Sequence, residues 1–147
     1  MYQVLYVDDD QTLLKITKLF MELSGEFELT TMTSAADAVN CPHIMSYDAI
    51  ISDYEMPEMN GIAFLKAIKS ESKTMPFLIF TGCCHENLAV EAIDNGADFF
   101  VNKCGKSNDV FSTLQNNLKV AIERRQVAET MRSIHEKVVE MPKTLVE

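Results

Sequence analysis

The chain has 147 residues, 47% hydrophobic and 24% charged, which suits one globular domain with a substantial core. No apolar run approaches the roughly 18 residues of a membrane helix and no signal-peptide pattern opens the chain, so a cytoplasmic location is the default expectation. A net charge of −9 argues against nucleic acid as a direct partner, because such binding relies on Lys and Arg neutralising phosphates.

Short unbroken apolar runs occur at Val4–Val7, Ala49–Ile51, Phe77–Phe80 and Phe99–Val101. Runs of this length, bounded by polar residues, suit strands buried on both faces of a parallel sheet. Between the first and second runs, Leu13, Ile16, Phe20 and Leu23 step at helical spacing, and Ser24-Gly25 closes that helix. Phe27–Met32 alternates instead, which predicts a strand nearer a sheet edge. Ser34 and Asp37 open a second helix, and Pro42 predicts that it is short or kinked. Ile62, Leu65 and Ile68 mark a third helix. Leu88, Ala92 and Ile93 mark a fourth, stopped at Asn95-Gly96. Ser107 is placed as the cap of a fifth, with Asp109 in its first turn, and nothing breaks the helix before Glu140. Strand and helix alternate five times, which predicts an α/β fold with a doubly wound parallel sheet and right-handed crossovers.

The fifth helix carries two stripes. Val110, Leu114, Leu118 and Ala121 would pack on the sheet. Val120, Val127, Met131, Ile134, Val138 and Met141 follow a short heptad pattern with Arg124 at one core position. Charge divides at the same place. Residues 1–122 hold 17 acids and 8 bases, whereas residues 123–147 hold 5 of each. The expected organisation is a body over 1–122 and a helical extension over 123–147. The extension would serve dimerisation, partner binding or as a linker.

In doubly wound sheets, ligands bind beyond the carboxyl ends of the strands. There the sequence places Asp8, Asp9 and Asp10 after the first run, Asp53 after the third, Thr81 and Gly82 after the fourth, and Lys103 after the fifth. Crowded carboxylates repel one another, and a hard divalent cation with oxygen ligands offsets that. A carboxylate beside such an ion can attack phosphorus, with a lysine and a hydroxyl stabilising the phosphoryl oxygens. Taken singly, each of these residues could equally be a solvated loop residue; their joint placement after four apolar runs carries the reading. Cys41, Cys83, Cys84 and Cys104 lack paired C-x-x-C spacing and read as reduced thiols. His43, His85 and His135 are scattered, without metal-ligand spacing.

These motifs together resemble the receiver domain of two-component response regulators, a CheY-like family. The resemblance covers roughly residues 2–122. It rests on Val-Leu-Tyr-Val-Asp8-Asp9, on Ile-Ile-Ser-Asp53-Tyr-Glu-Met56-Pro57-Glu-Met59-Asn60-Gly61, on Phe-Thr81-Gly82, on Gly96-Ala97-Asp98 and on Phe100-Val-Asn-Lys103. It implies strand order 2-1-3-4-5. It implies Asp53 as phosphoacceptor and a Mg2+ (or Mn2+) pocket at Asp8 and Asp9, with Asp9, Asp53 and the backbone carbonyl of Glu55 as direct ligands. It implies Thr81 and Phe100 as a switch pair, Lys103 as the phosphoryl-binding lysine, a sensor histidine kinase as donor and an unidentified downstream protein as receiver of the signal. Met56 and Pro57 are assigned a loop-shaping role only. Glu55 and Cys83 are where the lifetime of the phosphoryl group would be tuned.

The chain departs from the family pattern in two places. Cys104-Gly105 stands where proline usually follows the lysine, and a cis bond without proline costs roughly 2.5–4 kcal/mol, which favours trans at 103–104. Phe100 stands where Tyr is common, so any signal there uses ring position alone. Two rival readings remain. Asp8-x-Asp10-x-Thr12 resembles the nucleophile motif of haloacid-dehalogenase-type phosphatases, with Asp8 as nucleophile and Asp10 as general acid, but no acid pair follows Lys103 to complete that metal site. The other is a receiver-like interaction module that is never phosphorylated.

Overall fold

The computed structural model describes residues 1–82 and 86–142. Five strands alternate with helices: β1 (Tyr2–Val7), α1 (Gln11–Glu22), β2 (Phe27–Met32), α2 (Ala35–Val39), β3 (Ala49–Ser52), α3 (Gly61–Glu71), β4 (Phe77–Thr81), α4 (Glu86–Asp94), β5 (Phe99–Asn102) and α5 (Ser107–Glu140). The sheet is parallel throughout, in the order β2-β1-β3-β4-β5. The expected fold class and strand order both hold. Alternating Phe27–Met32 does lie at an edge, and unbroken β3 and β4 are buried along their whole length.

Two apolar layers sandwich the sheet. On one face Val4, Tyr6, Ile51, Leu78 and Phe80 meet Leu14 and Met21 of α1 and Val110, Leu114 and Leu118 of α5. On the other, Leu5, Val7, Ile50, Phe77 and Ile79 meet Ala35 and Ala38 of α2, Ile62, Phe64, Leu65 and Ile68 of α3, and Leu88 and Ala92 of α4. Each fully buried Leu, Ile or Phe contributes roughly 1.5–3 kcal/mol of transfer free energy.

The helix starts follow from local chemistry. Asp10, Ser34 and Asn60 each accept a backbone N–H three residues on, from Leu13, Asp37 and Ala63. Pro42 does end α2 early, and a single 3-10 turn at Ile44–Ser46 carries the chain to β3. Gly96, at φ 103, closes α4.

Three expectations need correction. The stripe assigned to α1 holds only in part. Leu14, Thr17 and Met21 face the core and Phe20 of the expected stripe packs half-buried beside them, while Ile16 and Leu23 are exposed. On α4, Leu88 and Ala92 are buried but Ile93 is exposed. Ser107 is the first residue of α5 rather than its cap; Lys106 holds the cap position and makes no side-chain capping bond. The uninterrupted helix to Glu140 is as expected.

Because α5 starts beyond β5 and runs back along the sheet, its middle reaches the strands' amino-terminal ends. Lys119 pairs with Glu26 ahead of β2, the Arg124 guanidinium sits 5.3 Å from the Phe99 ring centroid at the start of β5, and Arg125 reaches Met75 ahead of β4. From residue 126 onward every described position of the helix is exposed. No described helix is long and apolar enough to cross a membrane.

Candidate functional site

Strand register assembles the rim. Val7 of β1 pairs with Ser52 of β3, so the residues that follow, Asp8 and Asp53, emerge side by side. The Asp53 N–H donates to the Val7 carbonyl at 2.9 Å. Thr81 of β4 pairs with Asn102 of β5, and the Lys103 N–H donates to the Thr81 carbonyl at 2.9 Å. Three strands, β1, β3 and β5, thus deliver the residues that follow them to one cleft of about 640 Å3. Asp8, Asp9, Asp10, Asp53, Glu55, Met56, Pro57, Asn60 and Lys103 all line it. Thr81, 2% exposed, lies behind and hydrogen-bonds the Asp53 carboxylate.

Asp8 is fully buried, and both its oxygens are engaged. Its Oδ2 accepts from the Tyr6 hydroxyl at 2.8 Å and from Lys103 Nζ at 2.7 Å; its Oδ1 accepts the Asp10 N–H at 2.9 Å. Lys103 Nζ also lies 3.4 Å from Asp53 Oδ2. Asp53 Oδ1 accepts the Tyr54 N–H at 2.8 Å, which leaves Oδ2 facing the lysine. Burial, then the adjacent Asp8 charge, push the Asp53 carboxyl above its ordinary range; Lys103, the Thr81 hydrogen bond and the Tyr54 N–H act in the opposite direction. Burial and the Asp8 charge also push the Tyr6 phenol far up, which favours its neutral, hydrogen-bond-donating form.

One carboxylate oxygen from each of Asp8, Asp9 and Asp53 lies within 4.8 Å of the others. An all-oxygen donor set of this size fits a small hard divalent cation such as Mg2+ or Mn2+. The remaining expected positions are distributed as follows. Glu55 is exposed at the cleft wall, and Met56 and Pro57 line the same wall, Met56 also packing on the α2–α4 layer. Phe100 is half-buried on that layer. The bond between 103 and 104 is trans, as are all described peptide bonds. Cys41 is half-buried and Cys104 exposed. Cys83, Cys84 and His85 lie outside the described residues.

Sequence reasoning missed two contributors. Tyr6 reads as one more apolar strand residue. Its position two before Asp8 was the available signal, because alternate residues of a strand share a face. Gly61 was seen only as part of a motif. A Cβ there would stand 2.3 Å from the Asp53 carbonyl oxygen, so only glycine lets α3 begin against the Asp53 backbone. The Gly61 N–H donates to the Tyr54 carbonyl at 2.9 Å and fixes that approach.

Comparison with known proteins gives the same picture. The sequence profile of the response regulator receiver domain matches residues 4–115. Response regulator SaeR of Staphylococcus aureus is 30% identical over 120 residues, 80% of this chain and 51% of that protein. This chain therefore spans about half the length of the curated relatives it matches. A response regulator receiver domain protein from Clostridium thermocellum superposes with a TM-score of 0.73 at 27% identity, covering 87% of this chain and 99% of that one. Chemotaxis response regulator CheY4 of Vibrio cholerae superposes with a TM-score of 0.68 at 28% identity, covering 80% and 98%. By its rim, its strand order and a profile match over most of its length, the chain belongs to the response regulator receiver domain family.

Proposed function

We propose that this receiver is a phosphorylation-dependent switch in which Asp53 accepts a phosphoryl group from the phosphohistidine of a partner sensor histidine kinase. The observation that carries the reading is the position of Asp53: buried, with one oxygen fixed by the Tyr54 N–H and the other 3.4 Å from Lys103 Nζ, beside Asp8 and Asp9. An Asp53 oxygen forms the new P–O bond while the donor's P–N bond breaks, and the leaving imidazole takes up a proton. Burial makes the Asp53 carboxylate more basic, and so a better nucleophile once ionised. Lys103, held by Asp8 at 2.7 Å, is placed to pair with a phosphoryl oxygen, and the Thr81 hydroxyl can turn toward another. Asp9, Asp53 and the Glu55 carbonyl would hold Mg2+ or Mn2+, with Asp8 alongside. When bound, the ion supplies positive charge against the carboxylates and the phosphoryl oxygens.

Turning Thr81 toward the phosphoryl group vacates space for the half-buried Phe100 ring to move inward. That alters the surface formed by α4, β5 and α5, which a downstream protein would read. Water attack on the acyl phosphate resets the switch, and Glu55 on the cleft wall would set the lifetime. The reading places residues 1–122 as the receiver and 123–147 as a separate helical extension, in a cytoplasmic protein that binds neither membrane nor nucleic acid through this part and is not an enzyme in its own right.

The test uses radiolabelled acetyl phosphate with Mg2+. Wild type acquires acid-stable, base-labile label and Asp53→Asn acquires none; equal labelling of both refutes the assignment. The phosphatase alternative needs Asp8 as nucleophile, yet both Asp8 oxygens are engaged in hydrogen bonds, and Asp10 is occupied in capping α1. Turnover of phosphate esters abolished by Asp8→Asn alone would revive it. Absence of Mg2+-dependent beryllofluoride binding would favour an interaction module that is never phosphorylated.

A further inference from the structure

Four apolar side chains on one face of the protruding part of α5 have no partner among the described residues of their own chain. Val127, Met131, Ile134 and Val138 are between 45% and 62% exposed, although they lie on a single seam; Met141, the next position of the sequence pattern, lies past the end of α5 with extended backbone. The four seam residues step by 4, 3 and 4, which gives heptad positions d, a, d and a. The body of the same chain does not cover them, because every described helical position after 125 is exposed. We infer that this seam pairs in parallel with the same seam of a second copy of the chain, forming a short two-stranded coiled coil.

Three observations select a second copy in parallel. First, a 3.5-residue repeat is a pattern that only another helix reads over successive turns, and an identical helix meets it in register, a on a and d on d. Second, the flanking charges allow self-pairing. In a parallel pair the g and following e′ positions within the helix are Glu123 with Ala128 and Thr130 with His135, so no like charges face each other. The extension over 123–147 holds 5 acids and 5 bases, whereas the body carries the whole net charge of −9, so the neutral segment is where two copies approach with least repulsion. Third, the helix does not have to be nucleated. Val110, Phe111, Leu114, Leu118, Ala121 and Ile122 bury its first half on the sheet, so four seam layers extend a helix that is already formed. Arg124, at the preceding a position, turns onto the Phe99 ring and sets the start of the seam at Val127.

Pairing here leaves both carboxylate rims open, since α5 leaves the body at the strands' amino-terminal ends. The inference does not rest on phosphorylation. Sedimentation of the full 147-residue chain tests it, from about 5 to about 500 µM. The expected result is a reversible shift from monomer to dimer, seen equally in Asp53→Asn. The double change Val127→Glu/Ile134→Glu should weaken association by at least about tenfold while the helical circular dichroism of the body is retained. Val139→Glu, equally solvent-exposed at 68% but off the seam, should leave the dimer intact. Oxidised Ile134→Cys should give a covalent dimer whose mapped disulfide joins 134 to 134 of the second copy. A monomer at all concentrations overturns the inference. So does a dimer that survives the double change, or one lost equally in Val139→Glu. Association without the 134–134 link overturns the parallel register.

Discussion

At the scale of single residues, the rim depends on contacts that carry no charge of their own. The Tyr6 hydroxyl supplies one of the three hydrogen bonds to Asp8, from within the core. Tyr6→Phe keeps the ring packing on Phe80 and removes only that bond. A hydrogen bond to a charged group contributes about 1.5–3 kcal/mol, so urea denaturation should show a loss of that size. Gly61→Ala acts on the backbone. Its Cβ would meet the Asp53 carbonyl oxygen at 2.3 Å, so either α3 or Asp53 must move. A loss of about 2–4 kcal/mol in denaturant unfolding is expected, together with slower labelling from acetyl phosphate. Unchanged labelling kinetics would show that the approach of α3 does not position Asp53. Glu58 is the one described non-glycine residue with positive φ, at 69°. Glu58→Asn should raise stability by about 0.5–1 kcal/mol in the same assay, because Asn tolerates the left-handed region.

At the scale of elements, most of the architecture was legible. Strands β1, β3 and β4 read as unbroken apolar runs and edge strand β2 as an alternation, because burial on one face or two leaves different patterns; β5 departs from this, an unbroken run that lies at the opposite edge with Phe99 and Phe100 only half-buried. Caps at Ser34 and the stop at Gly96 were legible because their chemistry is local. The α1 face was not. Leu13, Ile16, Phe20 and Leu23 form an acceptable helical stripe, but the buried face uses Leu14, Thr17 and Met21, with a threonine that hydropathy discounts. Lys103 and the carboxylates were legible from strand ends alone; Tyr6 and Gly61 were not, since their roles appear only once neighbouring elements are packed. The α1–β2 connection also carries a titratable contact. Glu22 accepts the Leu29 N–H and pairs with Lys18, and these hold its carboxyl below the usual 4.5, the Leu29 bond having the largest effect. A depressed folded-state value gives stability that is present above the unfolded value and lost as pH falls through the folded one. Glu22→Gln should therefore be less stable than wild type at neutral pH, with the difference shrinking below about pH 4.5 in acid titrations of the melting temperature.

At the scale of the whole molecule, the acidic rim is a cost that a bound cation would relieve. Mg2+ at about a hundredfold over its dissociation constant should stabilise the fold by about 2.7 kcal/mol if it binds only the folded state. Calorimetry should register this as a raised melting temperature that Asp53→Asn diminishes. The architecture separates this chemistry from the protruding helix by the full depth of the sheet, yet one rod spans both. α5 starts four residues after Lys103 and continues unbroken for 34 residues, a span of about 50 Å. A reorientation of only about 5° at its root displaces the far tip by roughly 4 Å, at a rise of 1.5 Å per residue. Small adjustments beside the cleft are thereby geared up, without any hinge, into ångström-scale travel on the other side of the protein.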